Sequence, residues 1–277
     1  MPGPAGGAAL SQDWGKNSNV TDQPSVALST LDGVGLRASF WPAQDRRLGA
    51  VVAHGFTGSS RHAPVKRICT ALAAAGAAVL APDLRGHGRS GGLSTAGDLE
   101  VHDVAAAVAW LRAGGYERVA VLGWSMGGSI VLRYAGLGGD ADAVVSVSSP
   151  GEWYERGTRA MRVVHWLCET RSGRLTCRVV RRTRLSPQGW VQVPESPAEV
   201  VGRIAPTPLL IVHGDADHYF PIRHVDVLAA AAPGATVWVE HGMAHAETAT
   251  TPQLVERIAT WVRTAALPVV WDDGARD

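Results

Sequence analysis

The sequence predicts an α/β fold, a mostly parallel, doubly wound sheet with helices on both faces. Three observations predict it. Short apolar runs with no polar alternation recur along the chain, as strands buried on both faces do: Ala50–Ala53, Ala77–Ala81, Val119–Leu122, Ala143–Val147, Leu209–Val212 and Thr236–Val239. Segments of helical period separate them. Between the third run and the segment after it stands Gly123-Trp124-Ser125-Met126-Gly127, a sharp strand-to-helix turn.

Residues 1–24 are rich in Gly, Pro, Ser and Asn without periodicity and are expected to form a disordered arm. Val26–Thr30 and Leu36–Trp41, separated by Asp32-Gly33, read as an antiparallel hairpin at the sheet edge. Pro64–Ala75 is a predicted helix. In the next one Val101, Val104, Val108 and Leu111 share a face, Asp98 is the expected N-cap, and Gly114-Gly115 ends it. The alternation breaks over residues 151–205, which read as an inserted segment. Ile222–Ala232 and Pro252–Leu267 are the remaining helices, the last with Leu254, Ile258, Trp261 and Val262 toward the sheet. The reading is one domain over 25–267 and a tail over 268–277.

The chain has 277 residues, 46% of them apolar, enough for a substantial core. A formal charge of +1 gives no global field to attract nucleic acid or an anionic membrane. Cys69, Cys168 and Cys177 have neither metal-ligand nor paired spacing, which points to reduced thiols and a cytoplasmic setting. The first ten residues lack a basic region and a sustained apolar stretch, so no secretory signal is expected, and no run is long enough for a membrane span. Oligomeric state is left open.

Acyl transfer by a serine needs a base, a carboxylate to orient the base, and donors for the developing oxyanion. Ser125 in the turn is the nucleophile candidate. His245, in the loop after Thr236–Val239, is the preferred base over His241, which sits on the strand's last turn. Asp217, past the end of Leu209–Val212, is the preferred acid. Asp215 is expected to cap backbone N–H groups, and Ser148-Ser149-Pro150 offers no carboxylate at the alternative position. The N–H groups of Phe56 and Met126 are the expected oxyanion hole, with His54 a structural residue of its loop.

These motifs, His54-Gly-Phe-Thr-Gly58, Pro82-Asp-Leu-Arg-Gly-His-Gly-Arg-Ser90, Gly123-Trp-Ser-Met-Gly-Gly128, His213-Gly-Asp-Ala-Asp217 and Gly242-Met-Ala-His245, resemble the α/β-hydrolase superfamily. Within it the chain is similar to the monoacylglycerol-lipase-like and serine-aminopeptidase-like esterases. The resemblance implies an α/β-hydrolase fold, a lid over the nucleophile formed by the insertion at about 151–205, and structural roles for Asp83, Arg85 and His87. It implies hydrolysis of short to medium acyl or monoacylglycerol-like esters through an acyl-enzyme, with no metal or cofactor. A thioesterase or perhydrolase on the same residues, or a non-catalytic receptor, are the alternatives. Ala244 replaces the family's usual Gly, and Trp124 stands where relatives have His or a small residue. Trp124 is expected behind the elbow and is also counted, with Thr57, Trp153, Tyr154 and Trp166, among side chains bordering the substrate. The arginines of the insertion, among them Arg178 and Arg181, read as a solvated face or as a phosphate site.

Overall fold

The computed structural model describes residues 23–267. The expected arm, but for its last two residues, and the tail over 268–277 lie outside them. Pro24 already belongs to the sheet edge, its carbonyl accepting from Phe40 N–H.

Eight strands form one sheet: β1 (Ser25–Ser29), β2 (Gly35–Trp41), β3 (Leu48–Ala53), β4 (Ala78–Asp83), β5 (Arg118–Trp124), β6 (Ala143–Val147), β7 (Leu209–Gly214) and β8 (Thr236–Glu240). Their order is β1-β2-β4-β3-β5-β6-β7-β8. The β1–β2 hairpin joins β4 antiparallel, and every other pairing is parallel. Nine helices are seen among the described residues: α1 (Ala63–Ala74), α2 (Val101–Ala113), α3 (Met126–Gly136), α4 (Arg159–Glu169), α5 (Arg171–Val180), α6 (Pro197–Val200), α7 (Arg223–Ala231), α8 (Ala246–Ala249) and α9 (Pro252–Ala266).

The apolar runs are continuous because alternate residues enter two different cores. From β3, Val51 and Ala53 pack under α2, α3 and α7, while Ala50 and Val52 pack under α1 and α9. The helices that flank the sheet contribute the stripes their periodicity gives, such as Val104, Ala107, Val108 and Leu111 from α2. In α9, Leu254, Ile258 and Val262 are buried, with Trp261 only half-buried at the margin.

Two expectations change. Asp98 does not cap α2: Glu100 stands at the N-cap position. Its buried carboxylate instead turns back to accept from Ser94, Thr95 and Gly97, while Asp98 pairs with Arg133. The insertion over 151–205 is also not uniform. Its last part, α6 and the short turn Val201–Ile204, buries Val200, Val201 and Ile204 in the main body, and a Cβ on Gly136 of α3 would meet Val200. Only α4, α5 and the loops around them lie over the sheet's C-terminal edge. No helix among the described residues is long and apolar enough to cross a membrane.

Candidate active site

The C-terminal ends of parallel strands converge at one edge of such a sheet, where loops are free to carry side chains over the ends. Four loops meet there. After β5 the chain turns so sharply that Ser125 takes φ 53°, ψ −119°, outside the usual regions for a residue with a Cβ. The turn needs its glycines: a Cβ on Gly123 would strike the Gly127 carbonyl, and one on Gly127 would strike that of Ala53. Ser125 N–H is tied to the Val147 carbonyl at 2.9 Å, which fixes the strained residue to β6.

The loops after β7 and β8 pass so closely that a Cβ on Gly214 would overlap the Met243 carbonyl. This approach brings Asp217 beside His245. His245 Nδ1 lies 2.8 Å from Asp217 Oδ2, and its Nε2 lies 2.9 Å from Ser125 Oγ. The Asp217 side chain is fully buried and that of His245 is 11% exposed. Burial alone would raise the Asp217 carboxyl. The hydrogen bond and charge of His245, with N–H groups from Phe220 and Tyr219, hold it below the ordinary carboxylate range instead. A buried carboxylate on one ring nitrogen fixes the tautomer that leaves the other nitrogen free to accept a proton.

His241 and Asp215 lie apart from this line. His241 is 98% exposed and bonded to Asp215 Oδ2 at 2.7 Å, and Asp215 also accepts from Gly242 N–H at 2.6 Å. Ser148, where the alternative acid would stand, accepts from Ala246 N–H and so anchors the histidine loop.

The loop after β3 has most of its polar groups engaged. Gly58 N–H donates to the Gly55 carbonyl, Thr57 N–H to His87 Nε2, and Gly55 N–H to Glu247. His54 Nδ1 faces the Gly55 carbonyl at 2.8 Å and its Nε2 receives Leu84 N–H at 3.1 Å. Phe56 N–H has no acceptor among the described residues, and Met126, in the first turn of α3 where its N–H has no intrahelical acceptor, lines the same cavity as Phe56. Asp83, Arg85 and His87 face inward: Asp83 binds Ser60 N–H and Arg89, Arg85 bridges Asp32 and Asp103, and His87 Nδ1 meets the Arg85 carbonyl.

A cavity of about 720 Å³ opens over Ser125 and His245. Thr57, Trp153 and Tyr154 line it. Trp124 and Trp166 do not. The Trp124 indole is fully buried on the opposite side of the elbow, its Nε1–H donating to Thr250 at 3.0 Å. The residues of α4 that line the cavity include Met161, Val164, Leu167 and Cys168, whereas Trp166 is not among them and is 42% exposed. Sequence reasoning missed Trp190, which packs on Trp153 at 5.2 Å between ring centroids and bonds the Thr95 carbonyl. It missed Tyr219 and Glu247 as well, both wall residues next to the histidine. Their nearness to Asp217 and His245 in the chain was the available signal. Among the described residues no group of three or more His, Cys, Asp or Glu side chains is placed to hold a metal ion.

With this geometry established, comparison with known proteins gives the fold a name. The family model for the alpha/beta hydrolase fold matches residues 51–174. No curated protein sequence matches the chain. An esterase of Pyrococcus furiosus is 22% identical with a TM-score of 0.69, covering 88% of this chain and 93% of its own. An alpha/beta hydrolase from a Penicillium species is 18% identical, with a TM-score of 0.72 and coverage of 88% and 98%. A serine hydrolase without a lid from Xanthomonas campestris is 18% identical, with a TM-score of 0.62 over 92% of this chain and all of its own. Strand order, elbow and these likenesses together make the chain an α/β-hydrolase-fold protein.

Proposed function

We propose that the protein is a serine hydrolase of carboxylic esters working through an acyl-enzyme, with Ser125, His245 and Asp217 as its triad. The observation that carries this reading is the continuous line from Ser125 Oγ to His245 Nε2 at 2.9 Å and from His245 Nδ1 to Asp217 at 2.8 Å. His245 takes the hydroxyl proton as Oγ bonds to the ester carbon, and Asp217 stabilises the resulting imidazolium. The carbonyl oxygen gains the negative charge and receives the N–H groups of Phe56 and Met126, each worth roughly 3 to 4 kcal/mol in such a site. As the carbon–alkoxy bond breaks, His245 returns its proton to the leaving oxygen. Water then repeats the sequence against the acyl group and frees Ser125.

The cavity supports an acyl chain of short to medium length or a monoacylglycerol-like ester. Met161, Val164 and Leu167 give one apolar wall, and Trp153 with Trp190 another. A fluorophosphonate probe should label the wild type and leave Ser125→Ala unlabelled, and p-nitrophenyl esters of increasing chain length should be cleaved only by the wild type. A folded wild-type protein that takes no label and cleaves none of these esters overturns the reading.

A further inference from the structure

The proposed reaction makes no use of Glu247. This residue stands two positions after His245 in α8 and forms part of the cavity wall. One of its oxygens accepts Gly55 N–H at 2.6 Å. Among the described residues no cation lies within ion-pair distance of either oxygen. The cavity's other carboxylates differ from it: Glu155 is held by Arg223 and His224, Glu169 by Arg156 and His165, and Glu152 is exposed.

The position of this charge matters for chemistry. Both Glu247 oxygens and Ser125 Cβ come within 3.3 Å of the point where a Cβ on Gly55 would stand, so the carboxylate is one side chain's width from the carbon bearing the nucleophile. A negative charge there opposes the oxyanion forming at the Phe56 and Met126 N–H groups, in a half-buried site where screening is weak. A substrate with its own positive nitrogen near the scissile carbonyl cancels that opposition by pairing with Glu247. A neutral ester does not.

We propose that Glu247 makes the cavity selective for esters carrying a cationic nitrogen a few atoms from the scissile carbonyl, a substrate class that rests on the hydrolase reading above. The preference arises mainly in the transition state, because the pairing gains value as negative charge develops on the carbonyl oxygen. Gln at 247 keeps an oxygen to accept Gly55 N–H and removes only the charge.

Isosteric ester pairs test this. 2-(Trimethylammonio)ethyl butyrate and 3,3-dimethylbutyl butyrate differ in charge on the alcohol side, and methyl 4-aminobutyrate and methyl pentanoate differ on the acyl side. In the wild type, kcat/KM for the cationic member of at least one pair should exceed that of its neutral partner by tenfold or more. In Glu247→Gln the ratio should fall to near one, the cationic ester slowing and the neutral ester speeding up by a few fold. A wild-type ratio near one in both pairs overturns the proposal without any variant being needed. Equal losses for both members in Glu247→Gln overturn it too, because they assign Glu247 to propping the loop alone. Absence of turnover for all four esters and for the p-nitrophenyl series marks failure of the hydrolase reading itself.

Discussion

The Tyr219 ring lies flat on the His245 imidazole, centroids 4.1 Å apart and planes 26° from parallel. Phe220 meets the same imidazole edge-on at 5.5 Å, and the backbone N–H groups of both residues bind Asp217. One short segment thus holds the carboxylate by its main chain and the base by its side chains. In the proposed reaction His245 would carry the proton taken from Ser125, and the aromatic face of Tyr219 would then be next to a cation, a contact worth about 0.5 to 2 kcal/mol. Tyr219→Ala should lower kcat by between about twofold and thirtyfold, while Tyr219→Phe should keep nearly all of it. Loss of activity in the Phe variant equal to that in Ala would assign the effect to the hydroxyl and not to the stacked face. Thermal unfolding of both variants separates this from misfolding.

Two histidine–aspartate pairs stand in neighbouring loops, and they should respond in opposite ways. Asp217→Asn removes the group that fixes the imidazole tautomer and should reduce ester turnover by about three to four orders of magnitude. His241→Ala breaks a pair whose imidazole is 98% exposed. Such a pair contributes little to stability, and turnover should stay within about twofold. Steady-state rates on one p-nitrophenyl ester decide the matter, and a severe His241 variant beside a mild His245 variant would exchange their roles.

Strands and strand-end loops were legible in the sequence for a physical reason. A strand buried on both faces must be apolar throughout, and a turn as tight as the one at Ser125 must have glycine at the two contact points. The cavity wall was far less legible. Trp190 lies in a loop with no periodicity, and only the return of that loop over Thr95 brings it onto Trp153. Trp166 follows the apolar pattern of α4, yet is not among the residues of that helix that line the cavity. Glu100 escaped attention because its carboxylate serves the preceding loop and not its own helix.

Trp124 supplies a test of the elbow from behind. Its indole is fully buried among the α1 and α9 core residues, and Thr250 accepts its N–H while donating to the Ala246 carbonyl. The same contact therefore links the back of the elbow to the helix that follows His245. Trp124→Ala should cost about 3 to 5 kcal/mol of stability. Thr250→Val keeps the shape but strands the indole N–H, a loss of about 1 to 3 kcal/mol. Urea midpoints measure both, and a Thr250→Val midpoint equal to wild type would show that this hydrogen bond has no net worth.

His54 and His87 give the fold a defined acid weakness. Their rings meet edge to face at 5.1 Å, and each has Nδ1 against a carbonyl and Nε2 against a backbone N–H. Both must therefore be neutral with the proton on Nδ1, since a proton on Nε2 would oppose the N–H it now accepts. Burial, chiefly, pushes each imidazole down to about 4. In the unfolded chain both titrate at the ordinary value near 6.5. Between about pH 6.5 and 4 the unfolded state thus binds more protons than the folded one, so stability is complete above 6.5 and falls as pH drops through this window, by about 3 kcal/mol for each ring at its lower end. His213 and His224, also lowered through burial, act in the same sense. Urea midpoints recorded from pH 7 to 4 should fall steeply for the wild type. In His87→Gln, where the amide oxygen is able to accept Thr57 N–H and the side chain takes up no proton, the fall should be shallower whatever the midpoint at pH 7. Parallel curves for the two proteins would place the acid sensitivity elsewhere.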